Sequence, residues 1–277
     1  MRNSRIAELL EPFMDSANNE RLRAEDLQRI STYIDILQRW NARINLTAIR
    51  DEEEIVTRHF GESLFAARHL FPTRVATGAS PVPPGRSPAA SGTELRDQRR
   101  LLRAAESEGG RVALQGRVLR REEKGASAPA VTNDQRPRAN DAARVADVGS
   151  GAGFPGIPIK LWAPEIALTL IESNHKKATF LKEVTRALTL TDVNIQTARA
   201  ESLPGASFDM VTLRAVERFE SILPVAFRLV APGGRLALLI GQTQLPQAQS
   251  VLPALSWSDP IPVPSSQSRV LAIACKT

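Results

Sequence analysis

R-V-A-D-V-G-S-G-A-G-F-P-G runs from Arg144 to Gly156, an apolar run followed by alternate glycines. Arg144–Val148 is short and apolar, and its β-branched Val145 and Val148 suit a buried strand. Gly149, Gly151 and Gly153 then stand at alternate positions. Glycine lets a backbone turn tightly and lets a ligand come close to it. Pro155 fits the first turn of a helix, where its missing N–H costs nothing. Strand, glycine turn and helix start together make a cradle for a nucleotide-type cofactor.

Toward the C-terminus the pattern alternates. Ile166–Ile171 reads as a strand, and Asn174–Leu188 as a helix with Phe180, Leu181, Val184 and Leu188 on one face. Strands follow at Val193–Thr197 and Phe208–Leu213, then a helix at Phe219–Val230. Pro232-Gly233-Gly234 turns into a strand at Arg235–Ile240, and Val270–Cys275 is a late strand. Such alternation predicts a parallel sheet with helices on both faces. No long helix separates the last two strands, which predicts an antiparallel edge hairpin.

The N-terminal part is helical by the same test. Ile6, Leu9, Leu10, Phe13 and Met14 share one face, and a second helix spans Ala24 to Ala42. A third starts at Asp51, carries Glu52–Glu54 in its first turn where the helix dipole favours negative charge, and ends before Pro72. The expected organisation is a helical cap over 1–72, a low-complexity insertion over 73–143 and an α/β core over 144–277. Proline, glycine, serine and alanine flank an arginine-rich piece, Glu94–Glu106, in the insertion. That composition predicts disorder; an RNA-gripping arm is the functional alternative.

Two registrations of the glycine turn compete. Gly151-Ala-Gly153-Phe-Pro-Gly156 matches the dinucleotide fingerprint G-x-G-x-x-G, but starts late relative to the strand end at Val148. Asp147-Val-Gly149-Ser-Gly151-Ala-Gly153 fits the strand end better, and resembles the first motif of class I S-adenosylmethionine (SAM) methyltransferases. Glu172 closes the second strand, about 20 residues beyond the turn, where a carboxylate accepts ribose hydroxyls of NAD and SAM alike. Its structural alternative is to cap the helix at Ser173–Asn174. Ala200-Glu201-Ser202 follows the third strand, where the loop reaches an adenine. Arg214 closes the fourth, and strand ends are where open α/β sheets bind ligands. It suits the methionine carboxylate of SAM or an RNA phosphate.

V-G-S-G-A-G-F-P-G-I-P, I-E-S-N-H-K-K-A-T-F-L, A-E and L-R-A-V occur in this order at intervals that resemble the ribosomal small-subunit methyltransferase G family, also called the glucose-inhibited division protein B family. W-N-A-R-I-N-L-T-A-I-R-D and R-H-F-G-E-S-L in the N-terminal part belong to the same resemblance, which covers roughly 20–72 and 144–241. It implies a Rossmann-like class I methyltransferase core behind a helical cap, with SAM as methyl donor. The implied acceptor is N7 of a guanine in the 530 loop of 16S rRNA, guanine-527 in the family's usual naming. Matching motifs carry the cofactor role to Gly149, Phe154, Ala200, Glu201 and Arg214, beside Gly151 of the turn and Glu172 as the ribose contact. The sequence departs from the family pattern at Ala152 for proline, Glu62 for aspartate and His175 for glycine, and in the long insertion.

The chemistry agrees with what the sequence lacks. N7 of guanine has an in-plane lone pair and no proton to lose, so no general base is expected, and Arg214 is expected to position rather than to transfer a proton. A cytosine C5 methyltransferase needs a cysteine nucleophile, and Cys275 lies in the last strand, expected to be buried far from the cofactor. An exocyclic-amine enzyme shows an acidic or Asn-Pro-Pro-aromatic motif after strand four, where this chain has Arg214-Ala-Val-Glu217. His59 and His69 lack the spacing of a metal pair, and no metal is expected. His59 suits either RNA or cofactor contact or plain packing. Lys176 and Lys177 suit phosphate or a solvated face, and Asn41, Asn45 and Arg50 suit the cap's ligand side or a turn.

The net charge of +6 is weak evidence for nucleic acid, because the insertion holds 13 Lys/Arg and 8 Asp/Glu, leaving 36 − 13 = 23 against 30 − 8 = 22 elsewhere. Apolar runs fall short of the roughly 20 residues of a membrane helix, and the N-terminus has no signal-peptide core. With a single cysteine, the expected setting is cytoplasmic. The expected partner is 16S rRNA or a small-subunit assembly intermediate, met by a monomer. A non-catalytic RNA-binding protein on the same fold and a nicotinamide oxidoreductase are the alternatives.

Overall fold

The computed structural model of the chain describes residues 1–14, 22–72, 142–215 and 218–277. The expected insertion lies outside them, apart from its last two residues. All the described residues belong to one compact unit, 1–76 together with 138–277.

The cap begins with α1, Asn3–Leu10, followed by a 3-10 turn at Glu11–Phe13. α2 spans Ala24–Asn41. A third helical segment is built from α3 (Glu52–Glu54), a π-helical stretch (Ile55–Gly61) and α4 (Glu62–Leu70). Asp51 caps it, its side chain accepting the Glu54 N–H at 2.9 Å. The π-helical stretch widens the helix where Gly61 meets the Phe13 ring. A side chain at Gly61 would fall 2.5–2.8 Å from three ring carbons. The sequence reading gave a regular helix here; π geometry has no periodicity signal of its own, and it recurs at functional sites.

The core holds strands β1 (Arg144–Val148), β2 (Ala167–Ile171), β3 (Val193–Gln196), β4 (Phe208–Arg214), β5 (Val230–Gly241), β6 (Ser256–Trp257), β7 (Ile261–Pro262) and β8 (Arg269–Cys275). Its helices are α5 (Gly156–Trp162), α6 (His175–Ala187), α7 (Phe219–Leu229) and α8 (Leu245–Val251). The sheet order is β3-β2-β1-β4-β5-β8-β6, with β7 also on β8. β1 to β5 pair in parallel and β8 joins β5 antiparallel. This is the Rossmann-like class I methyltransferase arrangement, a mostly parallel sheet with an antiparallel edge.

Three local expectations change. β5 begins at Val230 rather than after the glycine pair, with a register shift opposite Phe208 and Met210. The short α8 and two-residue strands β6 and β7 lie between β5 and β8, so the edge is more than a hairpin; strands this short leave no period to read. Pro155 is the N-cap of α5, one residue ahead of the first turn.

Alternation along the strands divides the core into two layers. Val145, Leu168, Leu170, Ala237, Leu239 and Leu271 face one side with α5, α6 and the cap helices. Ala146, Val148, Val211, Leu213, Leu236, Leu238 and Ile240 face the other with α7 and α8. The cap shares the first layer's hydrophobic core, through Ile6, Ile30, Tyr33, Ile34, Leu37, Phe60 and Leu64, all 0 % exposed. The part of the cap that reaches the carboxyl ends of the strands, Leu46–Ala48 and Arg58–Glu62, is what borders the site.

Candidate functional site

The carboxyl ends of β1, β2 and β4 carry Gly149, Glu172 and Arg214 to one cavity of about 510 Å³, within the range of small-molecule sites. Its floor is the glycine turn, Gly149 to Ala152 with Phe154, and one wall is Glu172 to Asn174 with Lys177. The opposite wall is the cap, through Leu46, Thr47, Ala48 and His59.

The turn is held from below and from the side. Asp147, fully buried, accepts the Thr212 hydroxyl at 3.1 Å and the Gly156 N–H at 3.2 Å. Burial pushes its carboxyl up to about 6 against those hydrogen bonds. It lies beneath the turn and does not line the cavity. Glu172 accepts the Gly151 N–H at 2.9 Å and the Asn174 N–H at 2.7 Å, one on each carboxylate oxygen. The cap of α6 is Asn174 instead, accepting from Lys176 and Lys177 N–H. Glu172 therefore staples the β1 turn to the β2 turn. Each oxygen keeps a lone pair for a further donor.

Two of the glycines are spaced by packing. A side chain at Gly153, where φ is +84°, would strike the Tyr33 hydroxyl and fall 2.7 Å from Ile157 Cδ1. One at Gly156 would fall 2.8 Å from Asp147 Oδ2. The Tyr33 hydroxyl donates to the Ala152 carbonyl. Its ring stacks on Phe154 at 5.3 Å between centroids and 4° between planes, while His59 stacks on Phe154 at 4.7 Å and 20°. The cap thus grips the glycine turn through its aromatic residue.

Arg214 is 8 % exposed. Its Nη1 donates to His59 Nδ1 at 3.0 Å, and Nη2 donates to the Arg58 carbonyl at 2.6 Å and to Glu62 Oε2 at 3.1 Å. Its Nε is buried, with no partner among the described residues. Arg269 shares Glu62 Oε2 at 3.0 Å. The cation also lies over the Phe154 ring, 5.9 Å from the centroid. Arg214 lines the cavity, and a guanidinium there is suited to an anionic ligand.

The remaining predicted residues fall elsewhere. Ala200 and Glu201 form a 3-10 turn after β3, buried and exposed respectively, and are not part of the cavity lining. Arg228 fixes that turn by donating to the Ala200 and Glu201 carbonyls. Lys177 lines the cavity and Lys176 is exposed. Asn41 organises the cap loop. Its Oδ1 accepts the Leu46 and Thr47 N–H and its Nδ2 donates to the Thr47 carbonyl, while Arg50 donates to the Asn41 carbonyl and to Asn45 Oδ1. Cys275 is exposed, correcting the expectation of burial. It pairs with Arg235 at the sheet end opposite the cavity, since β8 ends where β5 begins.

Tyr33, Thr47 and Glu62 are site components that sequence reasoning missed. Tyr33 sits on an apolar helix face like any core aromatic, and Thr47 reads as a turn residue. The pairing of Glu62 with Arg214 spans 152 residues.

A family model for the rRNA small subunit methyltransferase G matches residues 26–79 and 131–258. The chain belongs to this family. Two members are similar over nearly the whole chain. The ribosomal RNA small subunit methyltransferase G of Halorhodospira halophila is 29% identical over 261 residues, covering 92% of this chain and 90% of that one. That of Roseiflexus castenholzii is 28% identical over 268 residues, covering 92% and 86%. A 119-residue match to the Sorangium cellulosum protein of the same name reaches 40% identity, covering 42% and 48%. No helix among the described residues of this rRNA small subunit methyltransferase G family member is long and apolar enough to cross a membrane.

Proposed function

We propose that this methyltransferase of small-subunit rRNA moves the methyl group of SAM to N7 of a guanine in the 530 loop of 16S rRNA, guanine-527 in the family's usual naming. The observation that carries the reading is the meeting of Gly151, Glu172 and Arg214 around one cavity.

SAM supplies an electrophilic methyl on a sulfonium. Bound there, SAM would offer that methyl to the guanine N7 lone pair, the C–S electron pair staying with sulfur. Arg214 is the residue for the methionine carboxylate or for an RNA phosphate. Glu172, fixed by two backbone amides, keeps lone pairs for ribose hydroxyls. Gly149, Gly151 and Phe154 form the floor, and the turn at Ala200-Glu201, beyond the cavity lining, is where the adenine would extend. His59 lines the cavity with both ring nitrogens engaged, and the spare lone pairs of Glu172 are assigned to the ribose. The wall therefore supplies orientation rather than a free base. N7 requires none, and orientation alone contributes about 7–11 kcal/mol in favourable cases. The cap over 1–72 and the core over 144–277 form the two walls of the site in this reading.

Calorimetry with SAM and with NAD tests the cofactor, and binding of NAD instead of SAM would overturn it. Primer extension on 16S rRNA after borohydride reduction and aniline cleavage at N7-methylguanine, with and without this gene, tests the position. SAM binding without any gene-dependent methylation would favour the non-catalytic RNA-binding alternative.

A further inference from the structure

All three groups that accept hydrogen bonds from Arg214 belong to the cap: the Arg58 carbonyl, His59 Nδ1 and Glu62 Oε2. The strand carries the guanidinium, and the cap sets its orientation. Of the three acceptors, His59 is the one whose protonation and tautomer decide whether it can accept at all.

Arginine has no acceptor atom, so the bond between Arg214 Nη1 and His59 Nδ1 requires an unprotonated Nδ1. The proton of the neutral ring then sits on Nε2, which donates to Thr47 Oγ1 at 2.8 Å. Thr47 cannot drift, because Asn41 holds its N–H at 3.1 Å and its carbonyl at 3.0 Å. The ring cannot tilt freely either, being stacked on Phe154. Electrostatics enforce the neutral ring. Arg214, Arg58 and Arg269 surround it with Glu62 as the paired carboxylate, and burial together with those three cations holds its pKa down at about 3.

We propose that His59 is a positioning residue for Arg214: as a neutral Nε2–H tautomer anchored on Thr47, it orients the guanidinium from the cap and so aims Arg214 at the ligand in the cavity. The inference rests on SAM being that ligand. It assigns a reason for the cap to border the site, since the relay from Asn41 through Thr47 and His59 ends on a side chain of β4.

Two isosteric variants separate positioning from packing. His59→Asn places a carboxamide oxygen near the Nδ1 position and loses the Thr47 bond. His59→Gln places its amide near Nε2, keeps a donor for Thr47 and loses the acceptor for Arg214. Both lose the stack on Phe154 alike. In titration calorimetry of the full chain with SAM, His59→Gln is expected to weaken binding about tenfold or more, as for loss of a hydrogen bond to a charged group. His59→Asn keeps an acceptor for Arg214 but loses the Thr47 anchor, so it is expected to weaken binding at least about threefold less than His59→Gln does. Equal losses in the two variants, or none in either, overturn the positioning role. A wild-type chain without SAM affinity overturns the cofactor reading itself. ¹⁵N NMR of histidine-labelled wild-type chain needs no variant to fold. His59 is expected as the neutral Nε2–H tautomer from about pH 5 to 8, and an imidazolium or an Nδ1–H ring in that range refutes the proposal.

Discussion

Replacing Gly153 by alanine puts a methyl group where the cap already lies. The added carbon would strike the Tyr33 hydroxyl and fall 2.7 Å from Ile157 Cδ1 and 3.1 Å from Leu181 Cδ2. Tyr33 cannot retreat, since its ring is fully buried against Phe154 and its hydroxyl is bound to the Ala152 carbonyl. The left-handed backbone at φ +84° costs an L-residue about 1–2 kcal/mol. Overpacking adds about 1–3 kcal/mol, so Gly153→Ala is expected to destabilise by about 2–5 kcal/mol. Tyr33→Phe removes the struck oxygen and leaves the Ala152 carbonyl unpaired, at about 1–3 kcal/mol. Because one change relieves the other, the double variant is expected to cost at least about 1 kcal/mol less than the sum. Urea midpoints at constant slope give all three values. Additivity within about 0.5 kcal/mol would refute the assignment of Gly153 to cap packing, leaving backbone conformation or ligand approach as its reason.

Glu62→Gln leaves the buried Arg214 cation without its carboxylate and is expected to cost about 3–5 kcal/mol in urea unfolding; a loss below about 1 kcal/mol would show that the pair is not structurally needed. Asp147 and His59 act on stability in opposite senses with pH. Asp147 titrates at about 6 in the folded chain against an ordinary 3.8, so the folded chain holds the extra proton and stability from this group falls as pH rises between those values. His59 titrates at about 3 against 6.5, so its contribution is present above 6.5 and is lost as pH falls toward 3. Asp147→Asn should therefore steepen the rise of stability from about pH 4 to 6, and His59→Asn should flatten it, which urea midpoints across that range will read. The end of α4 is fixed to the core without the insertion, by Arg235 Nη2 to the Leu70 carbonyl at 3.0 Å and Trp162 Nε1 to the Phe71 carbonyl at 3.1 Å. Replacing 74–140 by a short flexible linker is thus expected to leave SAM affinity within about threefold, and a collapse in calorimetry would make the segment part of the site.

Legibility followed the range of the interaction. β1 matched its expected span from Arg144 to Val148, and β4 gained one residue, because β-branched runs bounded by glycine or proline are local signals. The parallel direction of β1 to β5 followed from their alternation with helices. β6 and β7 were beyond reach, each being two residues that exist only as partners of β8. The π-helical stretch around His59 was equally silent, since its residues read as ordinary helix.

At the site, the glycine turn, the carboxylate closing β2 and the arginine closing β4 were legible along the chain, because topology alone brings those three strand ends together. What each does to its neighbours came from the packing. Gly153 makes room for Tyr33, 120 residues earlier in the chain. Glu172 holds two backbone amides before it can hold anything else. Arg214 takes its orientation from Arg58, His59 and Glu62, more than 150 residues away. Hydrogen-bond geometry and desolvation act through space, and a motif records only what is near in sequence.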